Sequence, residues 1–134
     1  MNTRFWLGLA AYVVPTFALG FSWHLLLFAQ QYEALQVYRA DVIFPFGLLS
    51  MCIQGAFLSW LFPRVARNDA MNSWLLQGLK FGLLAGLFAW SYSTIAVGAK
   101  HVMTSVPLFF ALETGFTILH YALVGPLIAL AHRR

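Results

Sequence analysis

One stretch constrains the fold more than any other. Residues Ser105 to Leu130, SVPLFFALETGFTILHYALVGPLIAL, are apolar apart from a few polar side chains that include a carboxylate and an imidazole. As a helix with a rise of about 1.5 Å per residue the stretch extends about 39 Å, more than the roughly 30 Å hydrocarbon core of a bilayer. Glu113, Thr117 and His120 stand at i, i+4 and i+7, so their side chains share one helix face. Because an ionisable group in hydrocarbon costs at least a few kcal/mol, we expect this face to point away from lipid, towards a partner.

The composition indicates an integral membrane protein. Of 134 residues, 61% are hydrophobic and 9% charged, whereas soluble domains carry roughly 25% charged residues. We expect one membrane domain over residues 1–134, with no room for a soluble module. The net charge of +4 comes from basic residues that flank apolar runs, so the lipid bilayer, not nucleic acid, is the expected partner. The single cysteine, Cys52, excludes an internal disulfide.

Four long apolar runs predict an all-α fold with four transmembrane helices in an antiparallel bundle. The expected helices cover about residues 5–29, 43–62, 74–98 and 105–131. The first run is much longer than the roughly 7 to 15 apolar residues of a signal peptide, so we interpret it as an uncleaved helix. Between the first two spans, Gln30 to Val42 predicts a short interfacial helix with Tyr32, Leu35 and Tyr38 on one side.

The distribution of basic residues predicts the orientation. If both termini share a side with the second connection, that side carries Arg4, Arg64, Lys80, Arg67, Arg133 and Arg134, and the opposite side carries Arg39 and Lys100. The positive-inside rule then predicts a multi-pass protein of a bacterial inner membrane with both termini cytoplasmic. We expect Trp6, Trp60 and Trp74 at the cytoplasmic interface and Trp23 at the outer one. In the second connection, Asn72 or Ser73 is the expected N-cap of the third helix.

Counting along the helices predicts a polar cluster. His24 lies about 28 Å along the first helix from Phe5, and Glu113 about 25 Å along the fourth from Leu130, so the two are level. The expected cluster consists of His24, Glu113, His120, Gln54, Ser91 and Thr117. A carboxylate buried beside an imidazole can exchange a proton with it or bind a ligand. The alternative is that these groups only fix helix register, at about 0.6 kcal/mol per hydrogen bond. His101 and His132 are expected to be solvated.

The third span contains Gly78, Gly82 and Gly86, two overlapping small-xxx-small motifs. Such a stripe forms a groove into which another helix can press its backbone. We expect these glycines to serve helix packing, and the groove to accept a helix of a second copy or of another membrane protein.

Haem, metal and catalytic sites have little support in the sequence. His24 and His120 are offset by about 13 Å, which argues against a bis-histidine haem. A metal site needs three or four ligands, and only His24, Glu113 and His101 are candidates to converge, so we expect no metal or other cofactor. No nucleophile and base stand in a recognisable context, so we expect no enzymatic activity.

Three blocks carry a resemblance over nearly the whole chain: RFWLGLAAYVVPTFALGFSWHLL, VIFPFGLLSMCIQG and MTSVPLFFALETGFTILHYALVGPLIAL. With them the chain resembles one of the small bacterial families of four-helix inner-membrane proteins of unknown function. The resemblance implies a compact bacterial membrane protein. It assigns no activity and no role to any residue.

Three functions remain open from the sequence. The first is a non-catalytic membrane component or oligomeric scaffold that uses the glycine groove, and this is the one that we favour at this stage. The second is a proton- or cation-coupled small transporter that uses Glu113. Small multidrug exporters are similar in having four short helices and one embedded glutamate, but they carry it in the first helix, where this chain has His24. The third is a binder of lipid or a small hydrophobic ligand, with a pocket between Pro15 and Pro126 lined by phenylalanines, Trp90 and Tyr92.

Overall fold

The computed structural model describes residues 2–66 and 73–133, and within these ranges it is helical and contains no strand. The elements are α1 (Thr3–Phe21), a first π-helical turn (Ser22–Leu27), α2 (Ala29–Leu35), α3 (Phe44–Val65), α4 (Trp74–Trp90), a second π-helical turn (Ser91–Ile95), α5 (Ala96–Lys100) and α6 (Val106–His132). Each π turn continues the helix before it.

Four helical units in the described residues are long and apolar enough to cross a membrane. They are Thr3–Leu27, Phe44–Val65, Trp74–Lys100 and Val106–His132. The four predicted spans are therefore confirmed, with ends that differ by a few residues, and the chain is a multi-pass membrane protein by this criterion. Residues 67–72 of the expected second connection lie outside the described residues. They include Arg67 and Asn72. Arg134 also lies outside the described residues.

Side-chain caps explain where two helices begin. The Ser73 hydroxyl accepts the Leu76 N–H at the start of α4, so of the two expected caps the structure has Ser73 in this role. The Ser105 hydroxyl accepts the Leu108 N–H at the start of α6, where Pro107 occupies the first turn. Proline suits this position because its missing N–H would have no helical partner there. These features set the start of α6 and hence the level of Glu113.

Helix α6 lies at the centre of the bundle. It packs along α4 and α1, whereas α3 packs mainly on α1 and only sparsely on α6. The buried residues of α3 are Gly55, Leu58, Ser59 and Phe62, all in its second half. The first half of α3 has no buried residue, and its Gly47, Leu48 and Met51 line a gap beside α1 and α6.

The glycine groove of α4 is filled by α6 of the same chain. A Cβ atom at Gly78 would lie 2.6 Å from the Cα of Pro126, and one at Gly82 would lie 2.9 Å from the Cα of Gly125 and still closer to the carbonyl oxygen of Tyr121. The packing role of Gly78, Gly82 and Gly86 is thus present. The expectation that a second copy or another protein occupies this groove is wrong for this structure, because α6 leaves no space in it.

Helix α2 holds a tyrosine over α6. It is shorter than the interfacial helix expected from the sequence, because Gln36 ends it in the left-handed region with φ 55°. Tyr32 and Leu35 are buried as expected, whereas Tyr38 follows the helix and is 47% exposed. The Thr104 backbone N–H donates to the Leu35 carbonyl at 3.1 Å, which ties the end of α2 to the segment before α6.

Candidate functional site

Glu113 is the centre of the site. It lies on α6 with 5% of its surface exposed. Two groups contact its Oε1 atom: the Tyr32 hydroxyl donates at 2.6 Å, and the His24 Nε2 atom lies at 3.3 Å. A buried carboxylate without a polar partner would be costly. Tyr32 and His24 are therefore the partners that the polar face of α6 was expected to have.

The hydrogen bonds of His24 locate one of its protons. Its Nδ1 atom is 3.0 Å from the Gly20 carbonyl oxygen. Because a carbonyl only accepts, Nδ1 carries a hydrogen. At the other nitrogen, the hydrogen bond between Nε2 and Glu113 Oε1 contains one further proton. Nε2–H donates it to a carboxylate, or the carboxylic acid donates it to Nε2.

Tyr32 supports the carboxylate from α2. Its hydroxyl accepts the Trp23 indole N–H at 3.3 Å and so directs its own hydrogen to Glu113. Burial, together with the hydrogen bond to Glu113, raises the pKa of Tyr32 above its ordinary value. Trp23 is partly buried within the site, and its expected level at the outer interface stays a prediction.

Aromatic rings surround the His24 and Glu113 pair. The His24 ring lies 4.6 Å from the Tyr32 ring, 4.7 Å from the Phe116 ring and 6.3 Å from the Tyr38 ring, between centroids. Although 47% of the Tyr38 surface is exposed, desolvation of its phenol group and the nearby Glu113 carboxylate raise the pKa of Tyr38. These rings make the surroundings of the His24 and Glu113 pair largely apolar.

Both π turns adjoin the segment of α6 that carries Glu113. The first contains His24, which contacts Glu113. The second follows Trp90, whose indole N–H donates to the Thr114 hydroxyl at 2.9 Å. Within the second turn, Thr94 is fully buried, and its hydroxyl is unpaired within the described part of the chain. π-helical turns are rare and occur frequently at functional sites, because they re-aim side chains within a continuous helix.

A cavity of about 990 Å³ lies beside the pair, partly open to the surroundings. It lies beside the first half of α3, and its wall also contains residues of α1, α2, α4, α6, both π turns and the connection between α2 and α3. The expected stripe of Glu113, Thr117 and His120 lines it, together with His24 and Gln54. Phe17, Phe21, Phe44 and Phe116 supply most of the aromatic lining, with Tyr92. Trp90, Pro15 and Pro126 are not part of this wall, so the pocket expected between the two prolines is corrected to this position.

A second group of polar contacts lies along the cavity towards the other end of the bundle. The Thr16 hydroxyl and His120 Nε2 are 2.7 Å apart, and both residues are buried. The Tyr12 hydroxyl donates to Gln54 Oε1 at 2.5 Å, and the Gln54 amide donates to the Ser50 hydroxyl at 2.8 Å. The Tyr12 and His120 rings are 5.5 Å apart, so these bonds form one layer.

His132 belongs to a third polar group, so the expectation that it is solvated is wrong. It is partly buried, and its Nε2 atom lies 3.0 Å from the Ser59 hydroxyl. Ser59 donates its hydrogen to the Phe5 carbonyl at 2.8 Å, so the His132 nitrogen is the donor to Ser59. His132 is therefore a packing residue between α1, α3 and α6, whereas His101 is exposed as expected.

Ser91 does not belong to the cluster. It is exposed, and its hydroxyl donates to the Phe88 carbonyl at 2.7 Å. The expectation was based on its height along the helix, but its side chain bonds to the backbone of its own helix and contacts no member of the cluster through a hydrogen bond. Gln54 is joined to Tyr12 and not to Glu113, so it belongs to the second polar layer.

Sequence reasoning missed the partners that the first helix supplies. Gly8, Tyr12, Thr16, Gly20 and His24 follow one another at intervals of four, and the first three are buried. This i+4 series of small and polar residues on one face was available in the sequence and would have identified Tyr12 and Thr16. Tyr32 was assigned only to the interfacial cap, because nothing local in the sequence predicts that α2 folds over α6.

Comparisons with protein-family models, with curated proteins and with solved structures found no match to this chain. The fold and the site therefore define a class only: a multi-pass helical membrane protein with a carboxylate, an imidazole and a phenol at the wall of an aromatic cavity. The resemblance to small bacterial four-helix membrane proteins stays a prediction.

Proposed function

We propose that this chain is a non-catalytic bacterial inner-membrane protein that binds a small amphipathic molecule in the cavity beside Glu113. The observation that carries this proposal is the cavity itself, about 990 Å³ in volume. Its size matches the roughly 300 to 1,000 Å³ of ligand sites, and its apolar wall with a few convergent polar groups is typical of them.

The proposed membrane arrangement has four antiparallel spans and both termini in the cytoplasm. Support comes from neighbours across the bundle: Gly8, near the start of α1, adjoins Ser59 and His132, near the ends of α3 and α6. Gly78, near the start of α4, adjoins Pro126, near the end of α6. Arg4, Arg64 and Arg133 then lie on one side, as the positive-inside rule requires of the cytoplasmic side.

A binding role explains features that a scaffold role does not. A scaffold was favoured from the sequence because of the glycine groove, but α6 fills that groove within the chain. The partly open cavity and its ring of aromatic side chains remain without an explanation in a scaffold. A polar pair that only fixed helix register would also be better packed without an adjacent cavity of this size.

The test is native mass spectrometry of the protein released from mild detergent after purification from bacterial membranes. We expect a co-purified small molecule on the wild-type protein. Gly20→Phe should lose it, because Gly20 lines the cavity and a Cβ there meets nothing within 4 Å, so the added ring should occupy part of the cavity. The matched control is Leu84→Phe on the exposed face of α4, where Leu84 is 70% exposed; it should retain the molecule.

Two results would contradict the binding role. The first is a wild-type protein that carries no small molecule and takes up none from a bacterial polar lipid extract. The second is equal retention by Gly20→Phe and Leu84→Phe, because a ligand that tolerates a filled cavity is bound elsewhere.

A second candidate, proton- or cation-coupled transport through Glu113, is favoured by one specific observation. The Glu113 and His24 pair lines a cavity that also holds the Thr16 and His120 pair, so protonatable groups follow the cavity along the bundle. Proton relays are built from such groups. In vesicles loaded with a pH-sensitive dye, this candidate predicts proton flux that Glu113→Gln abolishes; unchanged flux in that variant would exclude it.

A further inference from the structure

We propose that the ligand of the cavity is an uncharged membrane lipid with an alcohol head, whose chain lies in the gap between α1 and α3 and whose hydroxyl donates to Glu113. This inference rests on the proposed binding function and adds the chemical class of the ligand and its position in the cavity.

The first step concerns the net charge of the His24 and Glu113 pair. Nδ1 of His24 carries a hydrogen, and one further proton lies in the bond between Nε2 and Glu113 Oε1. If Nε2 holds this proton, a positive and a negative charge cancel; if Oε1 holds it, both side chains are neutral. The pair is uncharged overall in both arrangements. A charged ligand of either sign would therefore bring an uncompensated charge into an apolar site, which is costly.

The second step concerns the other charges of the cavity wall. Within the described part of that wall, Arg39 is the one Lys or Arg, and Glu33 is a further carboxylate. The Arg39 guanidinium donates to both carboxylate oxygens of Asp41, at 3.1 Å each. A phosphate head would thus find no unpaired Lys or Arg in the described wall. This disfavours the common anionic and zwitterionic phospholipids as ligands.

The third step concerns the hydrogen bonds that the site offers to an uncharged head. The Tyr32 hydroxyl and His24 Nε2 both contact Oε1 of Glu113. The other oxygen, Oε2, carries no hydrogen in either proton arrangement, so it only accepts. The Tyr38 hydroxyl interacts with the same carboxyl and is a donor. An alcohol is the simplest uncharged group that serves both, because it donates to Oε2 and accepts from Tyr38.

The fourth step concerns the gap that takes the chain of the lipid. Helices α1 and α3 are in contact at one end, where a Cβ atom at Gly55 would lie 3.0 Å from the side chains of Leu9 and Tyr12. They are apart at the other end, because a Cβ atom at Gly20 of α1 or at Gly47 of α3 meets nothing within 4 Å. Both of these glycines line the cavity. The cavity therefore extends into a gap between two membrane spans.

The residues that border this gap are apolar and partly exposed. Four of them line the cavity and are between 40% and 46% exposed: Phe17, Phe21, Phe44 and Leu48. All four belong to candidate membrane spans, so in a bilayer the gap opens towards acyl chains. A lipid chain is the occupant that such an opening suits, because it keeps the same apolar surroundings inside and outside the protein. Its head then reaches the one polar end of the gap, at His24 and Glu113.

The experiment compares four probes that share one oleyl chain and differ only in the head. They are oleyl alcohol, oleyl methyl ether, oleyl sulfate and oleyltrimethylammonium. Each is mixed at increasing mole fraction into lipid nanodiscs that hold the full chain, and occupancy is measured by native mass spectrometry. We expect the alcohol to reach half-occupancy at a mole fraction about tenfold lower than the ether, which lacks the donor, and lower still relative to the two charged probes.

Variants separate the bond to Glu113 from a general effect on folding. The amide of Glu113→Gln offers an N–H donor as well as an oxygen, so alcohol and ether should bind this variant about equally. Tyr38→Phe removes a donor that serves both probes, so it should weaken both by a similar factor and keep their ratio. Gly47→Phe should weaken both by filling the gap, whereas Leu84→Phe on the exposed face of α4 should behave as wild type. If Glu113→Gln does not fold, the ratio on the wild-type protein decides.

The outcomes distinguish this inference from the proposed function. Equal binding of alcohol and ether to the wild-type protein would overturn the alcohol head, and preference for a charged probe would overturn the uncharged class. Unchanged binding in Gly47→Phe would overturn the position of the chain. If no oleyl probe binds but the purified protein still carries a small molecule that Gly20→Phe loses, the lipid class is wrong and the binding role stands. If no probe binds and no molecule is carried, both are wrong.

Discussion

Replacing Gly82 by alanine tests the packing of α4 on α6. A Cβ atom there would lie 2.9 Å from the Gly125 Cα and 3.2 Å from the Tyr121 carbonyl carbon, with the Tyr121 oxygen closer still. All three are backbone atoms, so no side chain can rotate away and the two helices must separate. Overpacking of this kind costs about 1–3 kcal/mol, and a gap of about 0.5–1 Å along the interface also weakens neighbouring contacts.

The matched control is Gly47→Ala in α3, where a Cβ meets nothing within 4 Å. Alanine should stabilise that helix by up to about 1 kcal/mol relative to glycine. Because both sites are helical and share this gain, we expect the two variants to differ by the overpacking cost of about 1–3 kcal/mol in free energy of unfolding, measured by reversible denaturation with sodium dodecyl sulfate in mixed micelles. Equal stability of the two variants would refute intramolecular filling of the groove. A change in oligomeric state of Gly82→Ala at unchanged monomer stability would instead support the scaffold interpretation.

Three further predictions concern polar contacts. Tyr32→Phe removes the 2.6 Å bond to Glu113 and should lower the free energy of unfolding by about 1.5–3 kcal/mol in the same titration; an unchanged midpoint would mean that this bond is absent. Ser59→Ala leaves His132 without its acceptor and should cost about 1–3 kcal/mol, whereas a thermal unfolding midpoint equal to wild type would show that His132 is solvated. Because the pKa of Tyr32 is raised by burial and by Glu113, its stabilisation is complete below the unfolded value of about 10 and is lost as the pH rises above it. The difference between wild type and Tyr32→Phe should therefore narrow above about pH 10, and a constant difference would contradict this assignment.

The four spans could be predicted because the bilayer makes hydropathy decisive. A run of about 20 apolar residues has few alternatives to a membrane helix. The pairing of His24 with Glu113 also followed from the sequence, because a constant rise of about 1.5 Å per residue converts position into depth. Thr117 and His120 followed from the spacing on α6, and the structure brings them to the same cavity as Glu113.

Other features of the structure could not be predicted from the depth of a residue along its helix. Ser91 has a suitable height, but its hydroxyl is captured by the Phe88 carbonyl, three residues earlier in its own helix. A glycine stripe predicts a groove and does not say which helix fills it. In this chain the complementary glycine, Gly125, lies on α6 and allows α4 to pack closely against it.

The π turns and the role of Tyr32 had no sequence pattern to predict them. A π turn differs from an α-helix by a shift of one residue in the hydrogen bonds, which leaves hydrophobic periodicity nearly unchanged. Tyr32 reaches Glu113 because α2 folds back after the first π turn and is fastened to Thr104. Such a contact between distant parts of the chain depends on the tertiary arrangement.

The central claim is that the Glu113 carboxylate is paired with His24 at the wall of the cavity. It is tested most directly by solid-state NMR in lipid bilayers, with ¹³C-labelled glutamate and ¹⁵N-labelled histidine. With Oε1 and Nε2 3.3 Å apart, we predict a carboxyl-carbon to ring-nitrogen dipolar coupling that disappears in His24→Asn. A wild-type protein without this coupling, or a coupling that persists in His24→Asn, would contradict the account.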